Sequence, residues 1–326
     1  MIEVSELVKL FGERKVLHSL NFSVGTGRIC GFLGPNGSGK STTMDILAGL
    51  LGPSSGSAKI CGFDVVTQTK DVKANVGYLP DNPPLYKEMR VHEFVDYVAK
   101  LRGLNSSARK NDVDWVIHEC DVADVVNRVI GNLSKGYRQR VALCAALVHK
   151  PKVLILDEPT EGLDPNQILH IRQLIKKLAN DRTVILSSHI LSEVQATCDE
   201  VVIINHGHIA AKTSIKNDKT KPLYYLYTFA SKSEKALNWF QQRNYVRSAK
   251  PLAQKNNSIL VEFGSEFWSE NNGENIANVT EQIVQENFPL IGIEEKKEGL
   301  EELFFDVIRS QPGNHQIQIS SLGELV

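Results

Sequence analysis

Gly34-Pro35-Asn36-Gly37-Ser38-Gly39-Lys40-Ser41-Thr42 decides how this chain is read. It fits the pattern G-x-x-x-x-G-K-S/T, and it stands between an apolar run predicted as a strand, Ile29 to Leu33, and a predicted helix, Thr42 to Leu51. Glycines let the backbone wrap around a phosphate chain so that successive N–H groups point inward, and the following helix adds the positive end of its dipole. Lys40 then reaches the β- and γ-phosphates, while Ser41 offers a small hydroxyl to Mg²⁺, a cation that prefers oxygen ligands. A glycine-rich turn can match the bare pattern by accident. The flanking strand and helix are what the chemistry requires.

Further along, Val153-Leu154-Ile155-Leu156-Asp157-Glu158 reads as a buried strand ending in two carboxylates. Adjacent residues at a strand end point in different directions, so Asp157 can serve the metal while Glu158 polarises an attacking water. Alone, such a strand end would be a solvated acidic tip. Beside a phosphate loop it suits hydrolysis. Val184-Ile185-Leu186 leads in the same way to Ser187-Ser188-His189, which brings an imidazole to the edge where parallel sheets bind ligands.

The surrounding pattern is that of an α/β body. Val153 to Leu156, Val184 to Leu186 and Val201 to Ile204 are continuous apolar runs, as expected of strands covered on both faces, whereas Leu20 to Val24 alternates like a half-exposed strand. Helical period appears at Phe94, Tyr97, Val98 and Leu101, at Val113, Val116, Ile117 and Cys120, at Tyr137, Val141, Cys144 and Val148, and at Ile171, Leu174, Ile175 and Leu178. The stretch from 85 to 149 holds helices and no convincing strand, which predicts a helical insertion. A polar stretch from 214 to 221 reads as a linker. After it, strand at 223–229, helix at 235–243, strands at 245–252 and 258–263, helix at 276–286 and strand at 291–295 give the order βαββαβ of a ferredoxin-like domain over 222–309, with a last helix at 300–308. Residues 310–326 read as a loose tail.

Composition narrows the class. At 326 residues the chain exceeds what one core usually supports, so a larger and a smaller domain are expected. Lys+Arg 37 against Asp+Glu 38 gives no charge excess that would favour nucleic acid or an anionic membrane surface. Cys30, Cys61, Cys120, Cys144 and Cys198 are scattered without a C-x-x-C pair, which fits a reducing compartment better than a disulfide framework or a zinc site. The opening Met1 to Glu6 lacks a signal-peptide layout, and no apolar run is long enough to cross a bilayer, so a membrane role is expected to come through a partner. His206 and His208 flank Gly207 in what reads as a hairpin turn and are a poor basis for a metal site.

Leu133-Ser134-Lys135-Gly136-Tyr137-Arg138-Gln139-Arg140, ahead of the Asp157-Glu158 strand, resembles the signature sequence of ABC ATPases. Physically, Ser134 and Gly136 open a helix and offer a hydroxyl and bare N–H groups to an anion; without a partner this is a simple N-cap. The likeness extends from Met1 to about Ala211. Phe11 stands at the adenine-stacking position, Gly77 to Asp81 at the Q-loop, Gly162-Leu163-Asp164 at the D-loop and His189 at the H-loop. The wording Leu79 to Tyr86 and Gly162 to Gln167 is most similar to gliding-motility-associated and drug-exporter ATPases.

The resemblance implies a P-loop cassette over 1–213, with a mixed sheet, an N-terminal antiparallel part and the helical subdomain, followed by the small α+β domain. It implies a homodimer, or a pair with another ABC subunit, sandwiching ATP and Mg²⁺. Residues 34–42, Phe11, Ser134, Gly136 and Asp164 would hold nucleotide, and Ser41, Asp81 and Asp157 the metal. Lys40, Glu158 and His189 would act in hydrolysis, His189 sensing the γ-phosphate. The subunit would sit on the cytoplasmic face of the inner membrane beneath an integral-membrane permease, whose short helix enters a groove beside the Q-loop, and the cargo would be exported. A soluble ABC ATPase acting on ribosomes or DNA is the alternative, disfavoured by one cassette and the absence of a basic excess.

Four positions depart from the family pattern. Asp81 replaces Gln or Glu, Lys135 and Tyr137 replace Gly and Gln, and Glu161 replaces a frequent Thr. Lys135 either adds charge near phosphate or faces solvent, and the sequence offers no account of Glu161. The second domain carries no nucleotide, metal or nucleophile motif; it is a packing or regulatory element or an inert appendage, and Trp239, Phe240, Tyr245, Phe304 and Phe305 read as core.

Overall fold

The computed structural model describes residues 1–215, 223–231, 234–252, 255–264 and 272–296. Most of the expected linker, the expected helix at 300–308 with Phe304 and Phe305, and the tail at 310–326 lie outside these residues. The chain divides into two compact units, one holding Met1–Ile215 and the other lying within Lys216–Phe305.

The first unit begins with β1 (Ile2–Phe11), β2 (Arg14–Val24), β3 (Ile29–Leu33), α1 (Lys40–Leu47), β4 (Ser55–Ile60), β5 (Phe63–Asp64), α2 (Thr69–Asn75) and β6 (Val76–Leu79). Helices α3 (Val91–Leu101), α4 (Ser106–Glu119) and α5 (Lys135–Leu147) follow as the insertion. Then come β7 (Val153–Leu156), α6 (Pro165–Leu178), β8 (Thr183–Ser188), α7 (Leu191–Thr197), β9 (Glu200–Asn205) and β10 (His208–Ser214).

Two sheets share this unit. One has four strands in the order β2-β1-β4-β5; the other has six, in the order β10-β9-β3-β8-β7-β6. In the larger sheet every pair from β9 to β6 is parallel, and only the edge strand β10 runs antiparallel. Every residue of β3, β7 and β8 is buried, which is why these segments are continuously apolar: both faces are covered. Helix α1 contributes Met44, Ile46 and Leu47 to a core that joins Ile2, Leu7 and Phe22 of the small sheet to Phe32, Ile155 and Ile185 of the large one. At roughly 25 cal/mol per Å² of apolar surface, side chains of this size each contribute about 2 kcal/mol when withdrawn from water.

Helix α1 starts at Lys40 rather than at Thr42 and ends at Leu47 rather than at Leu51. Its start is set by Gly39, whose φ of +109° suits only glycine; its end by Gly49, at φ +68°. The cassette also runs past the expected residue 213, because β10 continues to Ser214 and the Ile215 N–H donates to the Asp199 carbonyl at 2.7 Å.

The second unit contains β11 (Leu223–Phe229), α8 (Glu234–Gln241), β12 (Val246–Leu252), β13 (Lys255–Phe263), α9 (Asn272–Gln285) and β14 (Leu290–Lys296). Its four-stranded sheet has the order β12-β13-β11-β14 with every pair antiparallel. Pro251 is tolerated because β12 is an edge strand. Trp239 and Phe240 from α8 pack with Tyr227, Phe229 and Phe263 from the sheet.

Tyr227 is fully buried in that core, and its hydroxyl has no partner among the described residues. An unsatisfied buried hydroxyl opposes folding, so Tyr227→Phe is expected to raise stability by about 1 kcal/mol. Urea unfolding measures this; a loss of stability would show that the hydroxyl is satisfied.

Candidate active site

Parallel pairing brings the strand ends together. Leu33 of β3 lies opposite Ser188 of β8, Leu156 of β7 opposite Leu186, and Leu79 of β6 opposite Leu156. The residues that follow these strands, Gly34, Asp157, His189 and Asp81, therefore leave one edge of one sheet.

Residues 34–39 form a loop with little room for side chains. A Cβ on Gly34 would strike the Ile204 carbonyl and the Ser38 hydroxyl, and one on Gly39 would strike Leu17. Gly37 takes φ +78° facing open space, and Pro35, Asn36 and Gly37 form the outer rim. Ser38 is only 2 % exposed, and its hydroxyl has no partner among the described residues. The loop is braced from below: the Gly207 N–H donates to the Ser38 carbonyl at 2.9 Å, and the Gly207 carbonyl accepts from the His18 N–H at 2.8 Å. Gly207 takes φ +75° against Val16, so the hairpin flanked by His206 and His208 serves as a prop. His208 stacks on His18 at 4.3 Å, and the described residues hold no cluster suited to a metal ion.

The Lys40 ammonium, on a residue 5 % exposed, donates to the Gly34 carbonyl at 2.9 Å and the Pro35 carbonyl at 3.3 Å. It also lies 3.3 Å from Glu158 Oε1, while Glu158 Oε2 meets His189 Nδ1 at 3.0 Å. Lys40, Glu158 and His189 thus form one chain of contacts, with the carboxylate in the middle. Ser41 is exposed and Thr42 half-buried on the first turn of α1.

Glu158 has φ +44°, an uncommon backbone conformation outside glycine. Ser187 supports it, a residue to which the sequence assigned no task. Its hydroxyl accepts from the Glu158 N–H at 2.8 Å and donates to Asp157 Oδ1. One buried hydroxyl therefore orients both carboxylate-bearing residues. A polar residue near the end of an apolar strand, two positions before His189, is the sequence signal for it. The loop is pinned again two residues later, where the Thr160 hydroxyl donates to Glu193.

Other candidates lie apart from this chain of contacts. Burial and then the Glu161 carboxyl raise the Asp81 carboxyl above its usual range, with Lys135 opposing. Among the described residues no contact joins Asp81 to Ser41 or Asp157. The Ser134 hydroxyl caps its own helix, accepting from the Tyr137 N–H at 3.3 Å, and Asp164 caps α6 through the Gln167 N–H at 3.0 Å. Gly136 is buried against Gln167. Tyr137 turns its hydroxyl to Asp124 at 2.5 Å. Phe11 is 50 % exposed at the end of β1, with the Lys9 ammonium 5.1 Å from its ring centroid.

The donors near the phosphate loop fit an Mg-nucleotide. Ser41 and Asp157 are oxygen ligands of the kind Mg²⁺ accepts, and the partnerless Ser38 hydroxyl lies within the loop.

Comparison with known proteins agrees with this geometry. The family model described as ABC transporter matches residues 17–161. The uncharacterized ABC transporter ATP-binding protein YxlF of Bacillus subtilis (strain 168) is 30 % identical over 310 residues, covering 95 % of this chain and all of that protein. The bacitracin transport ATP-binding protein BcrA of Bacillus licheniformis is 36 % identical over 244 residues, 74 % of this chain and 79 % of its own length. A solved structure of an ATP-binding subunit of an ABC transporter superposes with a TM-score of 0.60 at 28 % identity, covering 66 % of this chain and 90 % of that one.

Because Ser187 orients two carboxylates without reaching outward, Ser187→Ala is expected to lower kcat for nucleotide hydrolysis roughly ten- to a hundredfold while leaving nucleotide affinity near the parent value. Steady-state kinetics beside equilibrium nucleotide binding measures both; an unchanged kcat would remove the role given to Ser187.

Proposed function

The chain belongs to the family of ABC transporter ATP-binding proteins and is an ATPase of that family, and from that premise we propose that it works as a head-to-tail homodimer that drives a separate integral-membrane permease, in the direction of export. Each subunit binds ATP on residues 34–42 with the adenine against Phe11. Lys40 holds the β- and γ-phosphates, Glu158 takes a proton from the attacking water, and His189 orients Glu158 and contacts the γ-phosphate. Ser41 and Asp157, with Asp81, would hold Mg²⁺, which would supply positive charge against the phosphates. The α5 end at Ser134 and Gly136, with Asp164, faces the nucleotide of the other subunit.

The observation that carries the permease reading is a groove of about 540 Å³ between the β6 end and the helical insertion. Leu50, Tyr86, Tyr97 and Leu101 line it and are among the large apolar side chains that the chain leaves exposed. Exposed apolar surface gathered into a concave patch marks an interaction site. A short amphipathic helix of the permease fits it. No helix among the described residues is long and apolar enough to cross a membrane, so the transmembrane part falls to the partner. The proposed site is the cytoplasmic face of the inner membrane. The wording Leu79 to Tyr86 and the similarity to a protein named for bacitracin transport support the drug-exporter branch, close to the gliding-motility-associated ATPases.

Glu158→Gln keeps the phosphate contacts and removes the base, so it is expected to bind Mg-ATP, slow hydrolysis at least a hundredfold and accumulate as a dimer on size-exclusion chromatography. Turnover at the parent rate would refute the role of Glu158, and a variant that stays monomeric with saturating Mg-ATP would refute the sandwich. Lys40→Ala is expected to abolish ATP binding in an equilibrium titration.

A further inference from the structure

Glu193 is a charged residue that the fold buries: it is 7 % exposed, in the first turn of α7, four residues after His189. A carboxylate withdrawn from water is costly unless it is paired and hydrogen-bonded. Glu193 is both. The hydroxyl of Thr160, itself a buried residue, donates to Glu193 Oε2, and Arg172 Nη2 of α6 lies 3.7 Å from Glu193 Oε1. The Glu193 N–H donates to the Ile190 carbonyl at 3.2 Å, so the carboxylate is rooted in the turn that follows His189.

These partners come from separate segments around the hydrolytic carboxylate. Thr160 stands two residues after Glu158, between β7 and α6. That turn is tight: the Glu161 N–H donates to the Glu158 carbonyl at 3.1 Å, and the Leu163 N–H to the Thr160 carbonyl at 3.3 Å. The loop that carries Glu158 is thus joined twice to the segment that carries His189. The outer contact is Glu158 Oε2 with His189 Nδ1 at 3.0 Å; the inner one is Thr160 with Glu193. Both Glu158 oxygens are engaged at rest, one by Lys40 and one by His189, so a carboxylate that takes a proton from water has to release one of them.

We propose that Glu193 is a positioning residue for hydrolysis, holding the Glu158 loop against the His189 segment through the Thr160 hydroxyl, with Arg172 balancing its charge. The inner contact is buried and touches no reacting group, so it keeps Glu158 and His189 in register while the outer contacts exchange. This role rests on Glu158 acting as the base.

Steady-state kinetics and equilibrium ATP binding on the purified full chain test it. Thr160→Val keeps the shape of the side chain and removes the donor; it is expected to lower kcat about tenfold with ATP affinity near the parent value. Thr160→Ser, which retains a hydroxyl, and Glu193→Gln, whose amide oxygen still accepts from Thr160, are expected to turn over like the parent. Glu193→Asp draws the acceptor back by one methylene and is expected to lower kcat at unchanged affinity, which carries the test should Thr160→Val not fold. Adding Thr160→Val to Glu193→Ala is expected to cause no further loss. Parent kcat in Thr160→Val or Glu193→Asp, a Thr160→Ser as slow as Thr160→Val, equal losses in Glu193→Gln and Glu193→Ala, additive losses in the double variant, or ATP affinity falling in step with kcat would each overturn the role. Failure of the base is distinguishable: Glu158→Gln would then turn over at the parent rate, whereas a slow Glu158→Gln beside a fully active Thr160→Val removes the positioning role alone.

Discussion

Parallel pairing in the six-stranded sheet is the constraint from which the rest follows. Five strands run the same way, so their carboxyl ends open on one edge, and residues far apart in the chain become neighbours there. The phosphate loop, the Asp157-Glu158 pair, the histidine and the Asp81 loop are each the first residues beyond a strand. Their chemistry is then adjusted by single polar atoms. The Ser187 hydroxyl holds Glu158 in an uncommon backbone conformation while steadying Asp157. Lys40 and His189 grip the two oxygens of the same carboxylate.

Much of this was legible in the sequence, and the reason is burial. The runs Val153 to Leu156 and Val184 to Leu186 read as covered strands because the solvent is excluded from both faces, and the helical periods at Phe94, Val113, Tyr137 and Ile171 fall within α3 to α6. The glycine pattern announced the phosphate loop because few other residues tolerate such backbone. Boundaries were less legible. The motif's own lysine lies in the first helical turn, and α1 ends where Gly49 turns the backbone left-handed, neither of which periodicity can see. In the second unit α9 begins four residues ahead of Ile276, through a polar first turn with no apolar spacing to mark it.

What stayed hidden depended on neighbours in space. The task of Ser187 needs β8 next to β7. The influence of Glu161 on the Asp81 carboxyl needs β6 next to β7, which a linear reading does not supply. Lys135 hung between phosphate and solvent for the same reason, since its resting place along Gly162 belongs to a loop that the sequence reaches more than twenty residues later.

The brace beneath the phosphate loop has a bearing on how the chain comes to life. The motif is made early in synthesis, but the amide that props the Ser38 carbonyl belongs to Gly207, in the turn joining the last two strands of the cassette. A nascent chain emerging from the ribosome carries the whole glycine-rich pattern long before that turn exists. The floor under the loop therefore arrives only with the closing hairpin, so that a prematurely terminated polypeptide displays the glycine fingerprint without the brace it stands on.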